Sequence, residues 1–186
     1  MTDLGFHPIS ADEVADLALA QRGLGTYQLG AGARFTAPNA FADEGNQFPD
    51  HCDCSGLLSY CGRYRRGPYN TDAIVADALH IGGRFRLVER DEPVRRGDFI
   101  VKPGPDKDGD GHRDAPGHCG IITKVLPEFV RGSRDWYEDL EVTHCGGSLQ
   151  NRINPETMKR FGAVRTTNAA IWRLSGYLIR PLWVTP

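Results

Sequence analysis

In the stretch His51-Cys52-Asp53-Cys54-Ser55-Gly56-Leu57-Leu58-Ser59-Tyr60-Cys61, apolar residues recur at helical spacing. Cys54, Leu57, Leu58 and Cys61 stand at i, i+3, i+4 and i+7, which predicts a helix over residues 54–63 with one buried face. The Cys54 thiol then lies in the first turn, where backbone N–H groups lack partners and the helix dipole is positive. Both features favour the thiolate, which is the nucleophilic form of cysteine.

Two histidines in strand-like runs are candidates for the base that a reactive cysteine needs. His118 lies in Gly117-His118-Cys119-Gly120-Ile121, and His144 lies in Glu141-Val142-Thr143-His144-Cys145. Successive side chains of a strand point to opposite faces, so His118 and Gly120 share one face. We expect the helix to pack on that face, where Gly120 would permit close approach.

The sequence therefore predicts a Cys-His-His hydrolase. Cys54 would attack a carbonyl carbon, and His118 would hold its proton and pass it to the leaving amine. If the two strands are neighbours, His144 would fix the orientation and tautomer of His118. The N–H of Cys54, aided by the loop at Tyr27-Gln28, would stabilise the oxyanion.

Composition sets limits on the class of protein. The chain has 186 residues, 40% of them hydrophobic and 25% charged, with a formal net charge of -2. These values predict one globular domain over residues 1–186 and give no sign of a nucleic-acid partner. No apolar run is long enough for a membrane span. Residues 1–5 show no basic region before a hydrophobic stretch, so no signal peptide is predicted.

The order of predicted elements indicates an α+β fold. Ser10-Ala11-Asp12-Glu13 reads as a capping box that opens a first helix, and Gly23 follows its end. A third helix is predicted over residues 71–80, and a short one begins at Asn154-Pro155-Glu156. The predicted strands cover residues 85–89, 98–102, 118–125, 140–145 and 170–184, the last one broken near Ser175-Gly176. Helices that precede an antiparallel sheet are typical of this class.

Three blocks of sequence, in this order, carry a resemblance to a known family. They are Asp53-Cys54-Ser55-Gly56-Leu57 with Tyr60, Arg96-Gly97-Asp98-Phe99-Ile100, and Gly117-His118-Cys119-Gly120-Ile121. Upstream lies Gly25-Thr26-Tyr27-Gln28-Leu29-Gly30. These blocks resemble the motifs of the NlpC-type cell-wall cysteine peptidases, papain-like enzymes related to the CHAP amidases. The resemblance covers residues 12–147, and its most specific part is the nucleophile motif.

The resemblance implies a papain-like fold with the nucleophile helix packed on an antiparallel sheet. It implies hydrolysis of an amide in peptidoglycan stem peptides, commonly the γ-D-glutamyl–diaminopimelate bond, with no required cofactor. It also implies that Tyr27, Asp53 and Ser55 line the substrate site and that His144 occupies the third catalytic position. The interval from His118 to His144 is longer than is usual in the family.

Other functions remain open at this point. On the same fold, the alternatives are an N-acetylmuramoyl-L-alanine amidase and an acyltransferase. From another class, the chain would be a metal-binding or wall-binding module without catalysis. A cell-wall enzyme with no visible signal peptide would reach its substrate by another export route or by phage lysis. A monomer is expected, and a secretion-system toxin would have a cognate inhibitor or immunity protein as partner.

Two metal sites are compatible with the sequence. Asp106, Asp108, Asp110 and Asp114 resemble the start of a calcium loop, although Gly117 stands where such a loop has its bidentate glutamate. The alternative is an acidic, glycine-rich hairpin without an ion. A zinc site would use the ligands Cys52, Cys54, His118 and His144.

The five cysteines are an odd number, so at least one thiol is expected to be free. If their strands are neighbours, Cys119 and Cys145 should both point away from the active site. There they would pack as small hydrophobic residues or form a disulfide in an oxidising compartment.

Overall fold

A computed structural model describes residues 6–31, 33–34, 51–64, 69–110, 113–147, 162–173 and 175–186. Within these ranges it contains three α-helices, one 3-10 helix and a six-stranded sheet in which every neighbouring pair is antiparallel. The predicted α+β class is confirmed. Among the described helices, none has the length and apolar character needed to cross a membrane.

The helices are α1 (Ala11–Ala20), α2 (Cys54–Cys61) and α3 (Thr71–Ala78), and the 3-10 helix covers Ala169–Trp172. The strands are β1 (Ile9–Ser10), β2 (Thr26–Tyr27), β3 (Ala33–Arg34), β4 (His51–Cys52), β5 (Phe85–Leu87), β6 (Phe99–Lys102), β7 (His118–Val125), β8 (Leu140–Cys145), β9 (Val164–Asn168), β10 (Tyr177–Pro181) and β11 (Val184–Thr185). The large sheet has the order β5-β10-β6-β7-β8-β9, so the two histidine strands are neighbours, which meets the condition for contact between His118 and His144.

Side-chain caps set the starts of the helices. Ser10 and Glu13 form the predicted capping box: the Ser10 hydroxyl accepts from the Glu13 N–H at 3.2 Å, and the Glu13 carboxylate accepts from the Ser10 N–H at 3.0 Å. At α2 the cap is Asp53, whose carboxylate accepts from the Gly56 N–H at 2.7 Å. All eight residues of α2 are buried, and the helix ends two residues before the predicted boundary.

The expectation that α2 packs on the His118/Gly120 face is wrong. Buried residues form two clusters on opposite faces of the sheet. The cluster containing Leu57 of α2 also contains Cys119 and Ile121 of β7, whereas Ile122 belongs to the other cluster. Alternation along a strand relates residues to each other, but it does not say which face a helix will cover.

The Gly-Asp block before the histidine strand proves to be structural. Asp98 is buried and accepts two hydrogen bonds from the Arg180 guanidinium, at 2.7 and 2.8 Å. Gly97 has φ +85°, and a side chain there would collide with the Ala11 backbone at the start of α1. These contacts join β6 to β10 and hold α1 against the sheet.

The strand predicted over residues 170–184, with a break near Ser175-Gly176, is found only after that break. Ala169–Trp172 is a 3-10 helix, β10 covers Tyr177–Pro181, and β11 pairs in parallel with β1 at the other end of the chain. Strand β9 was missed because its sequence is short and mostly polar. The helix predicted at Asn154-Pro155-Glu156 lies outside the described residues.

Candidate active site

Cys54 lines a cleft of about 370 Å³. The walls come from the Leu29-Gly30 turn, the first turn of α2, the start of α3 and residues 113–117. Cys54 is 5% exposed, so its thiol is largely shielded yet still lines the cavity. A small ligand in the cleft would therefore meet this sulfur.

The surroundings of Cys54 favour its thiolate. The pKa of Cys54 is lowered to about 5, mainly by a hydrogen bond from the Cys119 thiol, with a further hydrogen bond and positive charge from His118. Burial opposes this shift without overcoming it. An anion at this position is also favoured by the N-terminal end of α2.

Cys119 therefore faces the nucleophile, and the expectation that it points away from the site is wrong. The same correction applies to Cys145, which joins Cys54 and Cys119 in the buried cluster under α2. Desolvation and the neighbouring Cys54 raise the pKa of Cys119, so it stays protonated and can donate. The residue between His118 and Gly120 thus supplies a hydrogen bond to the Cys54 sulfur.

Replacing Cys119 by alanine is expected to raise the pKa of Cys54, because the thiolate loses its main hydrogen-bond donor. The measurement is the rate of iodoacetamide labelling of Cys54 in reduced protein as a function of pH. In the wild type its midpoint should lie at about 5. Cys61→Ala is the matched control, since Cys61 is buried in the same cluster. An unchanged midpoint in Cys119→Ala would show that Cys119 does not tune the nucleophile.

The two histidines are in direct contact. His118 Nε2 lies 2.8 Å from His144 Nδ1, and the two rings are nearly perpendicular at 88°. Because Nε2 of His118 is used in this way, Nδ1 is the ring nitrogen left for the Cys54 sulfur. The structure thus brings the Cys54 thiol and the two imidazoles together, with His118 between the other two.

His144 is held neutral in a buried position. Its pKa is lowered to about 3, first by burial and then by the charges of His118 and Arg165. On its far side, Nε2 lies 3.4 Å from Arg165 Nε and 3.3 Å from Thr167 Oγ1, both on β9. Arginine only donates, so the Nε–H of Arg165 requires a lone pair on Nε2 of His144 and places the ring proton on Nδ1, and the Thr167 hydroxyl can donate to the same Nε2. Neutral His144 can therefore donate a hydrogen bond from Nδ1 to Nε2 of His118.

Trp172 forms the floor under both histidines. Its ring stacks on His118 at a centroid distance of 5.4 Å and an angle of 21°, and it meets the His144 ring edge-on at 5.4 Å. Its indole N–H donates to the backbone carbonyl of His118 at 3.4 Å. Trp172 is fully buried, so it restricts both rings to one arrangement.

Gly120 has a different role from the expected one. A Cβ at this position would lie 2.5 Å from a methyl group of Val142 and 3.1 Å from the Cβ of His144. The missing side chain therefore makes room for β8, and for His144 in particular, rather than for the nucleophile helix.

Of the three residues expected to line the substrate site, two line the cleft. Asp53 and Ser55 line the cleft and are joined by a 2.9 Å hydrogen bond from the Ser55 hydroxyl to the Asp53 carboxylate. The pKa of Tyr27 is raised to about 12, mainly by burial and further by the negative charge of the nearby Cys54. Tyr27 thus keeps its phenolic proton.

The acidic loop gathers three of its four aspartates. Carboxylate oxygens of Asp106, Asp108 and Asp114 lie within 4.8 Å of one another, and Asp110 is not part of this group. The loop also closes on itself, because Asp106 accepts from the Gly109 N–H at 2.8 Å and Asp114 accepts from the Lys107 N–H at 2.6 Å. Oxygen ligands of this kind suit calcium.

The alternative zinc site is not assembled among the described residues. The carboxylates of the acidic loop are the group there whose ligand atoms converge, and Cys52 faces Cys145 instead of Cys54 and the histidines. Sequence reasoning missed Trp172, Arg165 and Thr167. The chain gives no spacing signal for them, since their contacts with the histidines arise only when β9 and the 3-10 helix meet β7 and β8.

Comparison with known proteins gives little beyond the geometry. No family profile matches the chain, and no curated protein matches it. Among solved structures, NlpC1 from Trichomonas vaginalis is similar, with 19% sequence identity and a TM-score of 0.47. The match covers 92% of this chain and 43% of that one, so the chain spans less than half the length of this relative.

Proposed function

We propose that the protein is a cysteine hydrolase that cleaves an amide bond in peptidoglycan stem peptides. The observation that carries the proposal is the grouping of Cys54, which lines the cleft, with His118 and with His144 behind it. A low-pKa thiol, an imidazole in hydrogen-bond contact and a neutral orienting group are the parts that covalent acyl transfer requires.

The reaction would proceed in two steps. The Cys54 thiolate attacks the carbonyl carbon, and the carbonyl electrons move to oxygen, where N–H groups of the first turn of α2 stabilise the charge. When the C–N bond breaks, His118 gives its proton to the leaving amine and an acyl-enzyme remains. His118 then takes a proton from water, the resulting hydroxide attacks the acyl carbon, and the C–S bond breaks to regenerate the thiolate.

The peptidoglycan substrate rests on the resemblance of the three sequence blocks, and the cleft is compatible with it. The cavity volume is within the range of small-ligand sites. Its walls carry both signs of charge: Arg113 is paired with Asp72 at 3.2 Å, and Asp53 lies beside Cys54. A stem peptide has both amino and carboxyl groups, so it can complement such a surface.

Digestion of purified muropeptides, with the products identified by mass spectrometry, tests this function. Cleavage between γ-D-glutamate and diaminopimelate is the expected result. Release of the whole stem peptide from muramic acid would identify the amidase alternative, and transfer to an added amine would identify the acyltransferase. Absence of any product, together with slow labelling of Cys54, would contradict the proposal and favour a binding module.

We also propose that calcium binds the carboxylates of Asp106, Asp108 and Asp114. The loop runs directly into the wall of the cleft, so an ion would stiffen the segment that precedes His118. Saturating calcium is expected to raise the melting temperature by roughly 5 °C. Asp108→Asn should abolish this shift, whereas Asp135→Asn, a change in another loop, should retain it. An equal response of both variants to calcium and to chelator would rule out the site.

A further inference from the structure

Two buried thiols outside the catalytic chain lie against each other. Cys52 Sγ and Cys145 Sγ are 2.8 Å apart, and both residues are fully buried. This separation is shorter than the packing distance of two nonbonded sulfur atoms, and a bond between them would need a further approach to about 2.05 Å. Only a small further approach of the two sulfur atoms is therefore needed for a disulfide bond to form.

The location of this pair matters for the site. Cys52 ends β4 two residues before Cys54, and Cys145 ends β8 directly after His144. In sequence the two cysteines are 93 positions apart. A covalent link between them would tie the start of the nucleophile helix to the strand that carries the orienting histidine.

We propose that Cys52 and Cys145 form a disulfide bond when the chain folds in an oxidising compartment. The two thiols lose two protons and two electrons as the S–S bond forms. The oxidant is the disulfide of a folding catalyst or of a small molecule such as oxidised glutathione, and it leaves as two thiols. Because both sulfurs are buried in the folded protein, the exchange takes place during folding, before this part of the core is closed to solvent.

The competing pair is Cys54 with Cys119, which are also in hydrogen-bond contact. A disulfide there would consume the nucleophile. The bond between Cys52 and Cys145 leaves Cys54 and its donor as thiols, so it is the pairing compatible with a cysteine hydrolase. Cys61 remains as the fifth cysteine and accounts for the odd number.

A disulfide that closes so long a loop restricts the unfolded chain strongly. Protein refolded with oxidised glutathione is therefore expected to melt on the order of 10 °C above the same protein kept reduced. This readout needs no substrate, so its failure would be distinct from failure of the proposed hydrolase activity.

The disulfide pairing is determined by mass spectrometry. Thiol exchange is first quenched with acid, and the free thiols are then alkylated in denatured protein. Of the five cysteines, three should be alkylated in wild-type protein folded with oxidised glutathione, and all five after reduction. Because Cys52, Cys54 and Cys61 share one tryptic peptide, the map is repeated with Cys54→Ala and with Cys61→Ala, and the link to Cys145 should persist in the first of these. Cys61→Ala should retain it, and Cys145→Ala should lose it.

Two results would overturn the inference. One is alkylation of all five cysteines in the oxidised wild-type protein. The other is a link that disappears in Cys54→Ala, which would assign the bond to the competing pair. If Cys145→Ala does not fold, the maps of the wild type and of Cys54→Ala still decide between these outcomes.

Discussion

Replacing Cys54 by alanine is expected to lower the rate of muropeptide cleavage by on the order of 10⁴-fold or more. The acyl-enzyme cannot form without the sulfur, and the remaining groups of the site only bind and polarise the substrate. Cleavage is measured as the rate of product formation by chromatography and mass spectrometry, at substrate concentrations that saturate the wild type. The variant should bind muropeptides while failing to cleave them.

The matched control for this experiment is Cys61→Ala. Both cysteines lie in α2, Cys61 is fully buried, and it lines no part of the cleft. Its replacement also changes one cysteine of this helix to alanine. Cleavage by this variant should stay within a few-fold of the wild type. If Cys54→Ala remained folded and still cleaved at the wild-type rate, the nucleophile assignment and the hydrolase proposal would both be wrong.

The local features of the fold could be predicted from sequence. The capping box at Ser10 and the first turn of α2 at Cys54 follow from short-range patterns, and so does the run of β7. Such patterns depend on residues within one helical turn or one strand, so a single sequence contains them. Cys54, His118 and His144 could be selected as candidates for the same reason, because each lies in a recognisable local context.

The packing of these elements could not be predicted in the same way. Strand alternation separates His118 from Cys119, but it leaves open which of them faces α2. The structure puts Cys119 under the helix, while His118, the first residue of β7, still reaches Cys54. The contacts made by Trp172 depend on a 3-10 helix that follows a polar strand, and neither element has a strong periodic signal.

Replacing Trp172 by alanine is expected to have the second-largest effect. Truncation of a fully buried tryptophan typically lowers the free energy of unfolding by about 3–5 kcal/mol. Here it also removes the ring on which His118 stacks and against which His144 rests. We therefore expect a lower midpoint of chemical denaturation and a loss of kcat that exceeds the loss expected from unfolded protein alone.

Trp172→Phe separates stability from positioning. Phenylalanine retains an aromatic face for His118 but cannot donate to the His118 carbonyl, a contact that the indole makes at 3.4 Å. If Trp172 holds the histidine pair in place, the phenylalanine variant should recover most of kcat, and the alanine variant should have a low kcat even at temperatures where it is fully folded. Without the Trp172 ring, the two histidines should lose the 2.8 Å contact that aligns His118 with the sulfur. Equal kcat in folded wild type and folded Trp172→Ala would therefore contradict this role.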